Sequence, residues 1–270
     1  MDGTVHVVDF SSLPPAGLDD HCKMSSPVAE SHLDAVWSVH WLPTPPDMGV
    51  RFQSSSSDGT ISTWELHHGD FGRYQQAQSQ PLMRLHKKET LSVSVPGGDT
   101  DISTLHPHPT LPSQQYILGT HTGHVVRYST DDSSAHGTCV YLHAHAAPVY
   151  AIQYNQYHPT TFLTCSADWT VRIWDVHPRS IATTTHPLFQ FDSGTGVGDA
   201  AWSPLVSTVF ACVTDHGRVL VYDLAKDMNR PLCRQKVVEK AKLTKMAFDA
   251  TGVVVLVGDD KYVIFLFDFV

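Results

Sequence analysis

The chain has 270 residues, of which 41% are hydrophobic, enough apolar material to fill a sizeable core. Only 17% are charged, and 17 Gly and 17 Pro accompany 10% aromatics, a mixture that suits many short strands and tight turns better than long charged helices. The net charge of −9 speaks against a surface that works by neutralising phosphates or an anionic membrane, so neither nucleic acid nor membrane is expected as a partner.

In chain order, the sequence opens MDGTVHVVDF, with an acidic second residue and no basic-then-apolar signal pattern. Nowhere does an apolar run approach the ~18–20 residues of a membrane span, and a soluble intracellular protein is expected. DGTVHVVD, Asp2 to Asp9, reads as half of a β-hairpin unit that then recurs. Ser11 to Ser31, poor in apolar residues, reads as an inserted surface loop. The unit returns as FQSSSSDGTISTWE (Phe52 to Glu65), YILGTHTGHVVRYS (Tyr116 to Ser129), FLTCSADWTVRIWD (Phe162 to Asp175), VFACVTDHGRVLVYD (Val209 to Asp223) and VVVLVGDDKYVIFLFD (Val253 to Asp268). Its turn positions Gly3, Gly59, Gly123, Trp169, Gly217 and Lys261 stand 56, 64, 46, 48 and 44 residues apart.

Ahead of each full unit lies an alternating apolar strand: Val36 to Trp41, Ile102 to His106, Val149 to Tyr154, Asp199 to Trp202 and Leu243 to Phe248. Behind come candidate outer strands at Leu82 to Leu85, Cys139 to Leu142, Pro187 to Phe191 and Leu232 to Val237. Glu65 to Gln80 reads as a second inserted loop.

Strand, tight turn and strand closing on Trp174-Asp175 resemble a WD repeat, whose four-stranded blades recur every ~40–45 residues. An all-β, WD40-type β-propeller is therefore expected, incomplete, with about five blades plus part of another: a partial blade at 1–31 and blades at 32–98, 99–143, 144–194, 195–240 and 241–270. The resemblance implies a hydrogen-bonded chain in each intact blade, from a His before the first strand through a Ser or Thr and a turn Asp to a Trp. His145, Thr164, Asp168 and Trp174 match those places in the central repeat, and His32, Ser54, Asp58 and Trp64 match them in the blade at 32–98. Elsewhere the Asp place falls on Thr122, His216 and Asp260 and the Trp place on Tyr128, Tyr222 and Leu266, where the network is expected to be degraded.

Other residues invite chemistry. Eighteen histidines include His67-His68, His106-Pro-His108 and His143-Ala-His145, but zinc needs three or four convergent ligands, and no metal site is expected. Five cysteines, an odd set without C-x-x-C spacing, indicate neither a disulfide framework nor a zinc site. SGTGVGD (Ser193 to Asp199) is glycine-rich like a phosphate loop, yet it leads into a strand and reads as a turn between blades. Asp9, Asp168, Asp175 and Asp223 recur at strand ends as the repeat demands, and no Ser-His-Asp or Cys-His context surrounds them, so no catalytic residues, no cofactor and no enzyme activity are expected. Trp169 departs from the small or polar residue usual at its turn; it is either a packing plug or an anchor for a partner. With His216 and Arg218 of the next repeat it forms the set of candidate partner-binding residues.

Three stretches carry a narrower resemblance: VYAIQYNQYHPTTFLTCSADWTVRIWDV, GVGDAAWSPLVSTVFACVTDHGRVLVYDLA and KLTKMAFDATGVVVLVGDD. They are similar to the last blades of axonemal dynein intermediate chains, most of all the outer-arm type, and DAVWSVHW, SSSSDGTISTWEL and the opening DGTVHVVDF are similar to the same family. That resemblance implies a non-catalytic scaffold subunit of the outer dynein arm, located in cytoplasm, cytoskeleton and the axoneme of cilia or flagella. Its implied partners are the dynein heavy chain and a second intermediate chain, with light chains held through a region absent here. Five units and a half, against the seven blades usual in that family, imply either a piece of a longer chain, which the open sheet edges favour, or an unusual short form. A WD adaptor of a non-ciliary complex and an inner-arm intermediate chain share the repeat and stand as alternatives.

Overall fold

The structure, a computed structural model, describes residues 3–8, 23–43, 49–68, 83–93, 101–112, 114–129, 138–175, 186–249, 251–261 and 263–268. Apart from one 3-10 turn at Val28–Glu30, every regular element among them is a strand. The chain divides into two compact units, Met1–Ser94 with Thr100–Ile102, and Val95–Asp99 with Ser103–Val270.

In the first unit, β1 (His6–Val8) pairs antiparallel with β2 (Lys23–Ser25). A four-stranded sheet follows in sequence order, from β3 (Val36–Leu42) through β4 (Val50–Ser56) and β5 (Thr60–His68) to β6 (Met83–Ser92). Strand alternation turns Phe52, Trp64, Leu66 and Leu85 to one face, where they meet Val5 of the opening segment. The serine-rich β4 is buried because its hydroxyls find partners: Ser55 bonds Ser38 at 2.7 Å, and Ser56 accepts from the Asp58 amide.

Two loop expectations need correction here. The stretch Ser11 to Ser31 contains β2 and the 3-10 turn, because β1 requires a hydrogen-bonding neighbour; residues 11–22 lie outside the described set. The stretch Glu65 to Gln80 loses its first residues to β5, which runs on to His68, and 69–80 lie outside the described set. The outer strand β6 spans ten residues rather than Leu82 to Leu85. Its Lys87-Lys88-Glu89-Thr90 run is polar because an edge strand faces water, so hydrophobic periodicity cannot reveal it.

Among the described residues the second unit holds three four-stranded sheets and one of three strands. The first comprises β7 (Ile102–Pro107), β8 (Gln115–Thr120), β9 (His124–Ser129) and β10 (Thr138–His143). The second comprises β11 (Val149–Tyr154), β12 (Thr161–Ser166), β13 (Thr170–Asp175) and β14 (Phe189–Asp192). The third comprises β15 (Val197–Trp202), β16 (Val209–Thr214), β17 (Arg218–Asp223) and β18 (Cys233–Lys236). The last comprises β19 (Leu243–Phe248), β20 (Val254–Asp259) and β21 (Ile264–Asp268). Each of the five sheets is a WD40-type propeller blade, and β1–β2 is part of another.

Neighbouring blades of the second unit share apolar layers. Ile117 and Val125 meet Ile152, Phe162 and Trp174; Leu163, Cys165 and Ile173 meet Ala200, Phe210 and Tyr222; Ala211 and Val213 meet Leu243 and Val255. Inner strands of adjacent blades are also joined by side chains. Ser103 donates to the Val149 carbonyl at 2.6 Å, Gln153 accepts from the Trp202 amide at 2.7 Å, and Asp199 accepts from the Met246 amide at 3.1 Å. Burial pushes the Asp199 carboxyl above its ordinary range, against Lys245 and the two amides it accepts from. The inner strands of four blades carry a bulge at the same place, after Val36, Val149, Val197 and Leu243.

In the last blade the register corrects the sequence reading by one residue. Asp259 pairs with Leu243 as Ser166 pairs with Val149, which puts Lys261, not Asp260, in the place of Asp168. Val255 pairs with Phe267 as Phe162 pairs with Trp174, so Phe267 rather than Leu266 holds the Trp place. Leu266 points to the opposite face and is 68% exposed, as a one-step shift along a pleated strand requires.

Candidate functional site

The structure brings His145, Thr164, Asp168 and Trp174 together. Trp174 Nε1 donates to Thr164 Oγ at 3.0 Å, Thr164 Oγ lies 2.7 Å from His145 Nε2, and His145 Nδ1 lies 2.9 Å from Asp168 Oδ2. Since the indole is a donor and the carboxylate an acceptor, the protons run one way: Trp to Thr, Thr to the imidazole, the imidazole to Asp. The Asp168 carboxylate also accepts from the amides of Ala146 and Thr170 and from Thr170 Oγ. One acidic side chain thus ties together the connection entering the blade, the turn between β12 and β13, and the interior of the sheet.

The first unit repeats the arrangement atom for atom. Trp64 Nε1 donates to Ser54 Oγ at 2.8 Å, Ser54 Oγ lies 2.7 Å from His32 Nε2, and His32 Nδ1 lies 3.3 Å from Asp58 Oδ2. The amides of Leu33 and Thr60 and the Thr60 hydroxyl complete the Asp58 shell. Thr60, Thr170 and Arg172 are members that the sequence reading missed. The signal was present in the repeated Asp-x-Thr of Asp58-Gly-Thr60 and Asp168-Trp-Thr170. Arg172 Nη1 donates to the Ala144 carbonyl and its Nη2 stands 3.7 Å from Asp168.

Burial lowers the pKa of His145, opposed by Asp168 and helped by Arg172; burial lowers that of His32 in the same way, opposed by Asp58. Burial works to raise both carboxyls, but the hydrogen bonds around them outweigh it and hold Asp58 and Asp168 below the usual carboxylate range. Each pair is therefore a neutral imidazole donating to a carboxylate, not an ion pair. Such a histidine has its lone pair and its N–H both engaged and offers no free base.

In the other blades the polar chain is replaced by apolar groups. Leu118 and Cys212 stand where Thr164 stands, and both are fully buried. Burial pushes the Cys212 thiol up to about 12. The aromatic pair survives: Tyr116 stacks near Tyr128 and Phe210 on Tyr222, at centroid separations of 6.4 and 4.8 Å, as Phe162 does near Trp174 at 6.4 Å. Replacing both hydrogen-bonding partners by apolar groups costs little, which explains why the blade form outlasts the network.

A family model, WD domain, G-beta repeat, matches residues 137–175, the stretch that contains the central network. Over most of its length the chain aligns with three curated relatives. It is 36% identical over 232 residues to "Dynein intermediate chain 2, ciliary" of Heliocidaris crassispina, covering 85% of this chain and 32% of the relative. It is 34% identical over 241 residues to "Dynein, 78 kDa intermediate chain, flagellar outer arm" of Chlamydomonas reinhardtii, covering 84% and 32%. It is 34% identical over 244 residues to "Dynein axonemal intermediate chain 1" of Bos taurus, covering 88% and 32%. The chain is a homologue of axonemal dynein intermediate chains. It spans about a third of the length of these relatives.

In this intermediate-chain homologue the remaining candidate residues fall at the turn end of the blades. Trp169 has φ 73° and is 54% exposed, while Gly59, Gly123 and Gly217 occupy the same place in other blades with φ 76°, 85° and 68°. A Cβ on Gly123 or Gly217 would lie 2.2 Å from a backbone carbonyl, that of His145 or Val238. At Trp169 the incoming connection runs differently. Ser193 donates to the Trp169 carbonyl through both its amide and its hydroxyl, and the chain then turns through Gly194 at φ 72°. The glycine-rich run Ser193 to Gly196 thus makes room for a side chain at this turn, and from it the chain enters β15 rather than a helix.

Trp169→Gly relieves a left-handed conformation that costs a bulky residue about 1–2 kcal/mol, while it removes a half-exposed ring and loosens the unfolded chain. Its unfolding free energy from urea denaturation is expected to hold or to rise by up to about 1 kcal/mol. A clear fall would show the indole to be a packing plug.

His216 and Arg218 occupy the Asp168 and Thr170 places of the next blade. Among the described residues no three His, Cys, Asp or Glu side chains converge on a metal-sized site. His106 and His108 lie against the Tyr154 ring at centroid distances of 6.1 and 4.9 Å, and His143 against His124 at 4.8 Å.

Proposed function

We propose that this chain is a non-catalytic scaffold of the axonemal outer dynein arm, contributing to the attachment of a dynein heavy chain and a partner intermediate chain in cilia or flagella. The observation that carries the reading is alignment over 84–88% of the chain with ciliary and flagellar intermediate chains, one of them described by its name as an outer-arm component. The chemistry is consistent with a support: the histidines and acids that would attract a catalytic reading, His32, Asp58, His145 and Asp168, are each saturated by structural hydrogen bonds.

Affinity recovery of the tagged full-length chain from ciliary extract is expected to bring down outer-arm heavy chains, with no ATP turnover by the isolated chain. Recovery of inner-arm heavy chains would assign it to the other arm type, and recovery of non-axonemal complexes alone would overturn the reading.

A further inference from the structure

Positive charge is concentrated late in the sequence. Nine of the 18 Lys and Arg residues lie from Arg218 onward, together with only seven of the 27 Asp and Glu, in a chain whose net charge is −9. At the turn end of the blades formed by β15–β18 and β19–β21, three of these nine, Lys236, Lys240 and Lys242, line a cleft of about 320 Å³ together with His216.

Lys236 of the lining and Lys261, just outside it, have their ammonium groups held by backbone carbonyls. Lys236 Nζ donates to the His216 carbonyl at 3.0 Å, and Lys261 Nζ donates to the Lys240 carbonyl at 3.1 Å. Lys242 stands 3.4 Å from Asp215, an exposed pair of small net worth. A carbonyl fixes the position of an ammonium group but leaves its charge available, which lowers the cost of ordering a lysine when an anion arrives.

We propose that this cleft binds an acidic peptide segment of a partner protein. The proposal stands on this surface alone and does not depend on the dynein reading. The lining alternates charge rather than carrying one sign: Asp215, Glu239 and Asp260 are interleaved with Lys236, Lys240 and Lys242. A continuous polyanion such as nucleic acid would press its phosphates onto those three carboxylates. A peptide can place Glu or Asp side chains on the lysines and backbone N–H groups on the acceptors between them. Lysines also outnumber arginines here, giving point charges rather than the planar forks that favour phosphate.

The test uses the full-length chain and a fluorescein-labelled oligoglutamate followed by anisotropy. Reversing Lys236, Lys240 and Lys242 together to Glu is expected to weaken binding by about tenfold or more, and raised salt is expected to weaken binding to the unaltered chain. A charge-matched control, Lys226→Glu with Arg230→Glu and Arg234→Glu, three basic residues of the same blade outside the cleft lining, is expected to change it by less than about twofold. Unchanged unfolding midpoints in both variants keep the comparison one of charge position. Equal losses in the two variants, no loss in the first, or displacement of the peptide by oligothymidylate or anionic vesicles at matched charge would each overturn the proposal.

Discussion

Replacing Asp168 by alanine is expected to destabilise the second unit by about 3–5 kcal/mol, read from urea unfolding. The side chain is 10% exposed, and its loss strands the His145 N–H and the amides of Ala146 and Thr170 at once. Each buried donor left without an acceptor costs about 1–3 kcal/mol, and water can reach only the outermost of them. Thr164→Val tests the chain from its middle: it keeps the volume, strands the Trp174 indole and is expected to cost about 1–3 kcal/mol. A change below about 1 kcal/mol for Asp168→Ala would mean that apolar packing alone holds the turn.

The same groups set a pH dependence of one sign. Burial keeps His32 and His145 below their ordinary 6.5, so below that pH the unfolded chain takes up protons that the folded chain refuses. Their contribution is complete above pH 6.5 and is lost as pH falls through the folded values. Asp58 and Asp168, held below their ordinary 3.8, extend the loss to lower pH as they become protonated. Unfolding midpoints should therefore decline steadily from pH 7 downward, and His145→Gln should flatten the upper part of that decline.

Gly217→Ala is the second large effect, expected to cost about 2–5 kcal/mol by the same urea measurement. Its φ of 68° penalises any side chain, and the new Cβ would lie 2.2 Å from the Val238 carbonyl and 3.1 Å from that of Ala241. Both contacts are backbone, so neither can swing aside. The amides of Val237 and Val238 bind the Gly217 carbonyl, which locks the connection close to the turn. Trp169 shows that the fold can accept a side chain at this place when the connection is rebuilt as Ser193-Gly194-Thr195. A cost for Gly217→Ala below about 1 kcal/mol would show that the connection gives way without such a change.

The repeat was legible because the blades are specified locally: alternating apolar strands, an aromatic closing the hairpin and, in four of them, a turn residue at positive φ, Gly59, Gly123, Trp169 or Gly217. The central network could be placed from sequence since His145, Thr164, Asp168 and Trp174 are polar residues at fixed offsets in an otherwise apolar pattern. What escaped the reading lacks that contrast. β6 is polar along its edge, and β2 is three residues long. The last blade slipped by one place because VVVLVG and VIFLF are apolar on both faces, so only strand pairing distinguishes Leu266 from Phe267. The links between blades through Ser103, Gln153 and Asp199 were invisible because their partners, Val149, Trp202 and Met246, lie 46 to 49 residues away.

The claim that this chain supports an axonemal dynein arm is tested most directly on demembranated axonemes carrying the tagged full-length protein. High-salt extraction should release the tag together with outer-arm heavy chains, in constant proportion across the extraction series. A tag that washes out with the soluble cytoplasm before extraction, or stays on the microtubules after the heavy chains have left, would contradict it.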